Sequence, residues 1–284
     1  MASKKKLQFK AKLLYNKREK GNFFRLRILA PAIAASCLPG QFVTLRLTDG
    51  CQPLLRRPFS IHRVTGSGVE ILYELVGQGT QILSQKRMGE YLDIIGPLGN
   101  GFAPHPNRSK VNIIVAGGMG VAPLIFLAEK LREIKNQNSP PQNMAGSPRI
   151  MAKKFKVIVL LGAKTKNQLL CERDFKKLGC TVKIATDDGS KGYKGKVTEL
   201  FERLLRTTNY ELPTIYGCGP RPMLKEIASI CQRGNLTAQL SLEEHMACGI
   251  GVCLGCAVDT KEGYKTVCKD GPVFDAERII WEAE

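Results

Sequence analysis

Four cysteines within 21 residues, Cys248-x4-Cys253-x2-Cys256-x11-Cys268, constrain this chain more than any other feature. A C-x4-C-x2-C run with a distant fourth cysteine is the spacing of plant-type [2Fe–2S] ligands. Thiolates that wrap a compact inorganic core must come from tight turns. Gly249, Gly251 and Gly255 supply those turns without a Cβ in the way and let backbone N–H groups approach the sulfurs. The alternative, a structural zinc site, more usually shows paired C-x2-C elements. From about residue 239 the chain is too short to build a core of its own, so a metal centre is expected to staple it.

The 284 residues allow two or three compact domains at roughly 100–150 residues each. No apolar run reaches the roughly 18–20 residues of a membrane helix, and the basic start Lys4–Lys6 leads into no apolar signal core. A cytoplasmic protein with no membrane partner is therefore expected. In that setting the ten cysteines read as metal ligands plus free thiols, the latter being Cys37, Cys51, Cys171, Cys180 and Cys231. The net charge of +18 raises the question of nucleic acid, but the bases are scattered rather than set in a stripe with aromatics, so no nucleic-acid partner is expected. Residues 240–284 run the other way, with 4 Lys/Arg against 9 Asp/Glu, which suits a protein partner. His62, His105 and His245 form no ligand constellation and read as surface or core residues.

Residues 1–106 read as an antiparallel β-barrel, with short strands such as 41–47 and 69–76 separated by turns. Residues 107–236 alternate apolar strands (110–116, 155–162, 181–186, 212–217) with helical stretches, the first of them 122–135. That pattern predicts a Rossmann-like parallel α/β domain. An Asn-, Pro- and Ser-rich insertion at 136–154 reads as a surface loop. Residues 237–284 form the small cysteine module.

Two further sets of residues carry chemistry. Arg57-Pro58-Phe59-Ser60 follows a barrel strand: the guanidinium suits a diphosphate, the aromatic ring a flavin or adenine, and the hydroxyl a flavin polar edge. Gly77-Gln78-Gly79-Thr80 offers small residues, backbone N–H groups and a hydroxyl to phosphate. In the α/β domain, Gly117, Gly118 and Gly120 lie between a strand and a helix start, where a pyrophosphate can meet the helix N-terminus. Asp187 and the trio Cys218-Gly219-Pro220 follow later strands, at the ends where ligands bind in open α/β sheets.

R-P-F-S with G-x-G-T, then G-G-x-G-x-A-P, then C-G-P, in that order, resembles the ferredoxin–NADP reductase superfamily. With Ser241–Cys256 and Val267–Phe274 added, nearly the whole chain resembles the electron-transfer subunits of NAD-dependent dihydroorotate dehydrogenases. The resemblance implies FAD held by Arg57, Pro58, Phe59, Ser60, Leu72, Tyr73, Glu74, Gly79 and Thr80. It implies a [2Fe–2S] cluster on Cys248, Cys253, Cys256 and Cys268, and NAD(H) as acceptor or donor. It places the Cys218 thiol near the nicotinamide. The implied partner is an FMN-containing dihydroorotate dehydrogenase catalytic subunit, in a heterotetramer of two of each, working in pyrimidine biosynthesis. One departure is Phe59, where many members of the superfamily have Tyr.

Nicotinamide moves electrons in pairs and a [2Fe–2S] cluster singly, so the flavin must lie between them. No residue has the appearance of the general base that dihydroorotate oxidation needs, which fits an accessory subunit. Two alternatives remain open at this level: the FAD/[2Fe–2S] subunit of a ferredoxin:NADP oxidoreductase or sulfhydrogenase, and a redox-sensing module. NAD against NADP is open too, because Lys164 and Lys166 follow the second α/β strand and can meet a 2′-phosphate.

Overall fold

The computed structural model describes residues 6–50, 52–104, 111–137, 156–207 and 212–281. The insertion read at 136–154 lies outside them from residue 138 onward, as do His105 and Cys51. Among the described residues no helix is long and apolar enough to cross a membrane.

The first layer contains β1 (Leu7–Lys20), β2 (Phe23–Leu29), α1 (Pro31–Ser36), β3 (Phe42–Arg46), β4 (Arg57–Ser60), β5 (Arg63–Thr65), β6 (Gly68–Glu74), α2 (Gln78–Gln85) and β7 (Tyr91–Leu98). Its strands make one antiparallel sheet in the order β4-β3-β7-β1-β2-β6-β5. Period-2 alternation gives the sheet one buried face: Ala11 and Leu13 of β1, Leu26 and Ile28 of β2, and Leu92 and Ile94 of β7 all point into a shared core.

The second layer contains β8 (Val111–Gly117), α3 (Leu124–Gln137), β9 (Lys156–Ala163), α4 (Glu172–Lys177), β10 (Thr181–Thr186), β11 (Tyr193–Lys194), α5 (Val197–Thr207), β12 (Thr214–Cys218), α6 (Arg221–Arg233) and β13 (Ala238–Ser241). The order β11-β10-β9-β8-β12-β13 is parallel throughout and doubly wound, so the direction of winding reverses between β8 and β12. β8 and β12 are buried on both faces, which is why their sequences are continuous apolar runs rather than alternating ones. A single 3₁₀ turn, Gly118–Val121, stands between β8 and α3. Pro123 fits the start of that helix because its missing N–H would have had no partner there.

The C-terminal module shares this core instead of building one. After a two-stranded hairpin of β14 (Ala257–Val258) and β15 (Lys265–Thr266), β16 (Val273–Asp275) pairs antiparallel with β13 and extends the α/β sheet. Val258, Val267, Cys268 and Phe274 join the apolar cluster that holds Ile215 and Leu240. The observed architecture is the expected one: antiparallel barrel, parallel α/β sheet and small cysteine module.

Barrel and α/β domain are joined by interlocking side chains. Phe126 of α3 sits in the barrel core, while Phe23 and Leu72 of the barrel sit in the α/β core. Around them, Arg25 meets Asp174 at 3.3 Å and Arg63 meets Glu129 at 2.6 Å.

Candidate functional site

The loop from Cys248 to Cys256 turns through left-handed backbone that glycine adopts freely and other residues rarely: φ is +68° at Gly249, +87° at Gly251 and +56° at Leu254. Those turns aim N–H groups at sulfur. Ile250 and Val252 donate to Cys248 Sγ at 3.5 and 3.3 Å, and Cys268 donates to Cys256 Sγ at 3.4 Å. Burial opposes ionisation of Cys248, but N–H donors from Ile250, Cys253 and Val252 outweigh it and bring the thiol down to about 6. Burial and the neighbouring Cys256 push Cys268 up to about 12.

Cys253 acts on the Cys248 thiol, and Cys256 and Cys248 act on Cys268, so the four thiols lie close to one another. Among the described residues, no group of three or more Cys, His, Asp or Glu closes on a single ion. Four thiols in a C-x4-C-x2-C loop with a distant fourth cysteine suit a binuclear iron–sulfur core, whereas a structural zinc site more usually shows paired C-x2-C elements. The donor set therefore fits a [2Fe–2S] cluster. Cys253 is exposed, flanked by the exposed apolar side chains of Val252 and Leu254, while Cys256 and Cys268 are buried.

This loop lies against the barrel strand next to the Arg-Pro-Phe-Ser motif. A Cβ built on Gly249 would stand 2.9 Å from Thr44 Cγ2. Thr44 of β3 is paired in register with Pro58 of β4. Thr44 Oγ1 is buried there without a hydrogen-bond partner.

Arg57, Pro58, Phe59 and Ser60 form β4, an edge strand whose four residues are all half-buried, so one side of it is open to a ligand. Arg57 is braced by its own donation to Leu55 O at 2.8 Å. A Cβ on Gly79 would lie 3.1 Å from Arg57 Nε and 3.2 Å from Leu47 Cδ1, so the glycine at this position lets the two barrel motifs meet. Thr80 caps α2: its hydroxyl accepts from the N–H groups of Val76 (3.0 Å) and Gly77 (3.2 Å). Tyr73 is buried in the barrel core, stacked on Phe24 at 5.4 Å and edge-on to Phe59 at 5.9 Å, and donates to Asn16 Oδ1 at 3.0 Å. Its backbone alone is left for a ligand. Leu72 is buried between the domains. The open strand, the guanidinium and the glycine gap fit a flavin dinucleotide.

Across the domain boundary, a cleft of about 610 Å³ opens where β8, β9, β10 and β12 end. Of the residues read from sequence, Glu74, Gly117, Gly118, Asp187 and Pro220 line it. Gly120 and Cys218 form the wall behind. A Cβ on Gly120 would stand 2.2 Å from Cys218 O, so a side chain here would push the glycine turn off β12. Gly219, with φ +157°, backs onto Gly117 in the same way. The Cys218 thiol is 1% exposed, and burial together with the Glu243 carboxylate holds its pKa well above the ordinary thiol value.

Lys164 lines the cleft and Lys166 does not; the backbone N–H of Lys166 donates to Ser190 Oγ at 2.8 Å. Asp188 turns away to accept from the Ser190 N–H and hydroxyl at 2.9 and 2.6 Å, leaving Asp187 as the carboxylate of that loop in the cleft. Lys196, Glu199 and Met223 also line it and were not singled out from sequence. Their signal was positional: in a doubly wound sheet, the residues that open the helices after β11 and β12 face the same crevice as the glycine turn.

Family models match two segments: residues 243–280 match the iron–sulfur cluster binding domain of dihydroorotate dehydrogenase B, and 114–229 the oxidoreductase NAD-binding domain. The chain is 40% identical over 280 residues to the dihydroorotate dehydrogenase B (NAD⁺) electron transfer subunit of Desulforamulus reducens, covering 96% of this chain and 98% of that one. It is 40% identical over 249 residues to the same subunit of Caldanaerobacter subterraneus, covering 86% and 87%. Among solved structures, a chain of the NADH-dependent reduced ferredoxin–NADP oxidoreductase superposes with a TM-score of 0.78 at 28% identity, covering 95% of this chain and 90% of that one. A ferredoxin NADP⁺ reductase from Neisseria gonorrhoeae with bound FAD and NADP shares the fold, with a TM-score of 0.60 at 16% identity over 80% and 91%.

Proposed function

Because the chain belongs to the family of dihydroorotate dehydrogenase B electron transfer subunits, we propose that it relays electrons from a catalytic partner through [2Fe–2S] and FAD to NAD⁺. The partner is an FMN-containing dihydroorotate dehydrogenase subunit, in a cytoplasmic assembly of two of each. When bound, the cluster supplies one-electron exchange, the flavin exchange of one or two electrons, and NAD⁺ hydride acceptance.

The observation that carries this reading is the packing of Gly249 on Thr44, which sets the thiol loop one strand from Arg57–Ser60, while the nucleotide cleft opens across the boundary at Glu74. Three ligand stations then follow one another along a single chain. Cys248, Cys253, Cys256 and Cys268 hold the cluster, and their N–H donors stabilise its anionic sulfurs. Arg57 and the α2 N-terminus around Gly77–Thr80 hold the FAD diphosphate, while Phe59 and Ser60 border the flavin. Gly117, Gly118 and Gly120 bring backbone N–H groups to the dinucleotide, and Asp187 accepts from the adenosine ribose hydroxyls. The exposed Val252–Leu254 segment meets the partner, placing the one-electron station at the contact surface.

Purification of the native complex, with cofactor analysis of whatever accompanies the chain, tests this assignment. An FMN protein that oxidises dihydroorotate is the expected companion. The isolated chain should oxidise NADH with an artificial acceptor and leave dihydroorotate untouched; dihydroorotate turnover by the chain alone contradicts the reading. A hydrogenase or iron–sulfur-rich companion would instead favour the reductase relatives represented by the solved structure at 28% identity.

A further inference from the structure

His62 lies in the loop between β4 and β5, two residues beyond Ser60, and its side chain is completely buried. Its backbone N–H donates to Glu70 O at 2.8 Å, fixing it to β6 of the barrel. Its Nδ1 stands 2.6 Å from the carbonyl oxygen of Ala122, two residues beyond Gly120 and at the entry to α3. A carbonyl can only accept, so Nδ1 carries the proton and donates. Nε2 is then a bare acceptor, and it is buried without a partner among the described residues.

An orphaned acceptor in a core is a cost that a leucine of similar size would not carry. What the imidazole adds is a donor on the one carbonyl at the junction of the glycine turn and α3. The next residue repeats the link, since Arg63 meets Glu129 of α3 at 2.6 Å. Phe126, between Ala122 and Glu129 on the same helix, is seated in the barrel core. The start of α3 is thus held to the barrel at three successive points.

We propose that His62 is a positioning residue that fixes the approach of the dinucleotide-binding turn to the flavin-binding strand through its bond to Ala122 O. The proposal rests on the functional reading above, in which 57–60 border the flavin and 117–120 the dinucleotide. Within that reading, His62 joins the two half-sites through Ile61, Val121 and Ala122 and one hydrogen bond. Hydride transfer requires the two rings at near-contact geometry, where a displacement of about 1 Å can cost on the order of 100-fold in rate. Neutrality is built in: burial and the nearby Arg25 push the imidazole down to about 3, so the joint does not change its charge near neutral pH.

The test compares His62→Leu, which removes the donor, with His62→Asn, whose amide reaches the same carbonyl. Purified full-length protein with its cofactors is mixed with NADH, and flavin bleaching in a single turnover is followed across NADH concentration. His62→Leu should retain FAD and the half-saturating NADH concentration, with the limiting rate down about 10- to 100-fold. His62→Asn should recover most of that loss. Hydrogen exchange in residues 118–128 of the cofactor-free chain gives a reading independent of activity: faster in His62→Leu, restored in His62→Asn. Should His62→Leu fail to fold, Glu129→Gln, at the half-exposed second link, should show a smaller loss of the same kind.

A wild-type limiting rate in His62→Leu, or no recovery in His62→Asn, overturns the proposal. So does a loss that appears only as weaker NADH binding. In the fallback, an unchanged limiting rate in Glu129→Gln overturns it as well. A wild-type protein whose flavin NADH does not bleach removes the functional reading itself, and the proposal with it.

Discussion

Replacing Gly120 by alanine puts the account of the nucleotide cleft to a steric test. The added Cβ would lie 2.2 Å from Cys218 O, 2.4 Å from Cys218 C and 2.5 Å from Gly219 N. Ordinary carbon contacts lie near 3.5 Å, so the deficit is about 1 Å. All three neighbours are backbone of β12 and its following turn, and none can rotate aside. The glycine turn must therefore retreat by about that deficit, at a cost of about 1–3 kcal/mol for overpacking. Gly117 and Gly118 of the same turn line the cleft, so on the proposed reading the same retreat displaces a dinucleotide bound there. A shift of about 1 Å predicts up to roughly a 100-fold loss in the rate of flavin bleaching by NADH. Gly21→Ala is the control. Gly21, in the β1–β2 turn and not among the residues that line the cleft, has φ +51° and no described atom within 4 Å of its added Cβ. It should lose about 1–2 kcal/mol from left-handed backbone strain alone and keep its bleaching rate. Stopped-flow bleaching gives the rates, and denaturant unfolding gives the stabilities. A Gly120→Ala protein that bleaches within threefold of wild type, with FAD retained, would refute the reasoning.

Two other expectations follow from named side chains. Asp187 is the loop carboxylate left facing the cleft, so Asp187→Ser should narrow the preference for NADH over NADPH by about tenfold or more, measured as the ratio of bleaching efficiencies; an unchanged ratio would place selectivity elsewhere. His62, neutral when folded and able to take a proton near 6.5 when unfolded, binds fewer protons in the native state. Stability should be intact above about pH 6.5 and fall by about 1.4 kcal/mol per unit as the pH drops toward 3. Comparing unfolding of the cofactor-free chain with that of His62→Asn checks this, since the variant should lose that component of the slope.

The fold was legible in the sequence where one rule acted alone. The apolar runs 111–117 and 156–163 have no alternation because both faces are covered, and that pattern distinguishes a parallel α/β sheet from the alternating barrel strands before it. The cysteine spacing carried its own geometry, because glycine turns and closely set thiols are local. What the sequence could not display was contact across the domain boundary. His62 is one histidine in a short loop, and nothing near it in sequence announces Ala122, 60 residues away. Lys196, Glu199 and Met223 enter the cleft only because the winding reverses between β8 and β12. The resemblance implied Tyr73 beside the flavin; strand parity turns its ring into the barrel core, where it packs on Phe24. The cysteine module looked too short for a core, and it solves that by lending β16 to the neighbouring sheet.

The most direct test of the central claim is dihydroorotate-dependent NADH formation by the chain recombined with its co-purifying catalytic partner. The account predicts none from either component alone and turnover from the two together. It further predicts that Cys253→Ser, at an exposed position, abolishes that turnover while NADH oxidation with an artificial acceptor survives through the flavin. Undiminished dihydroorotate-dependent NADH formation by the Cys253→Ser protein would contradict it.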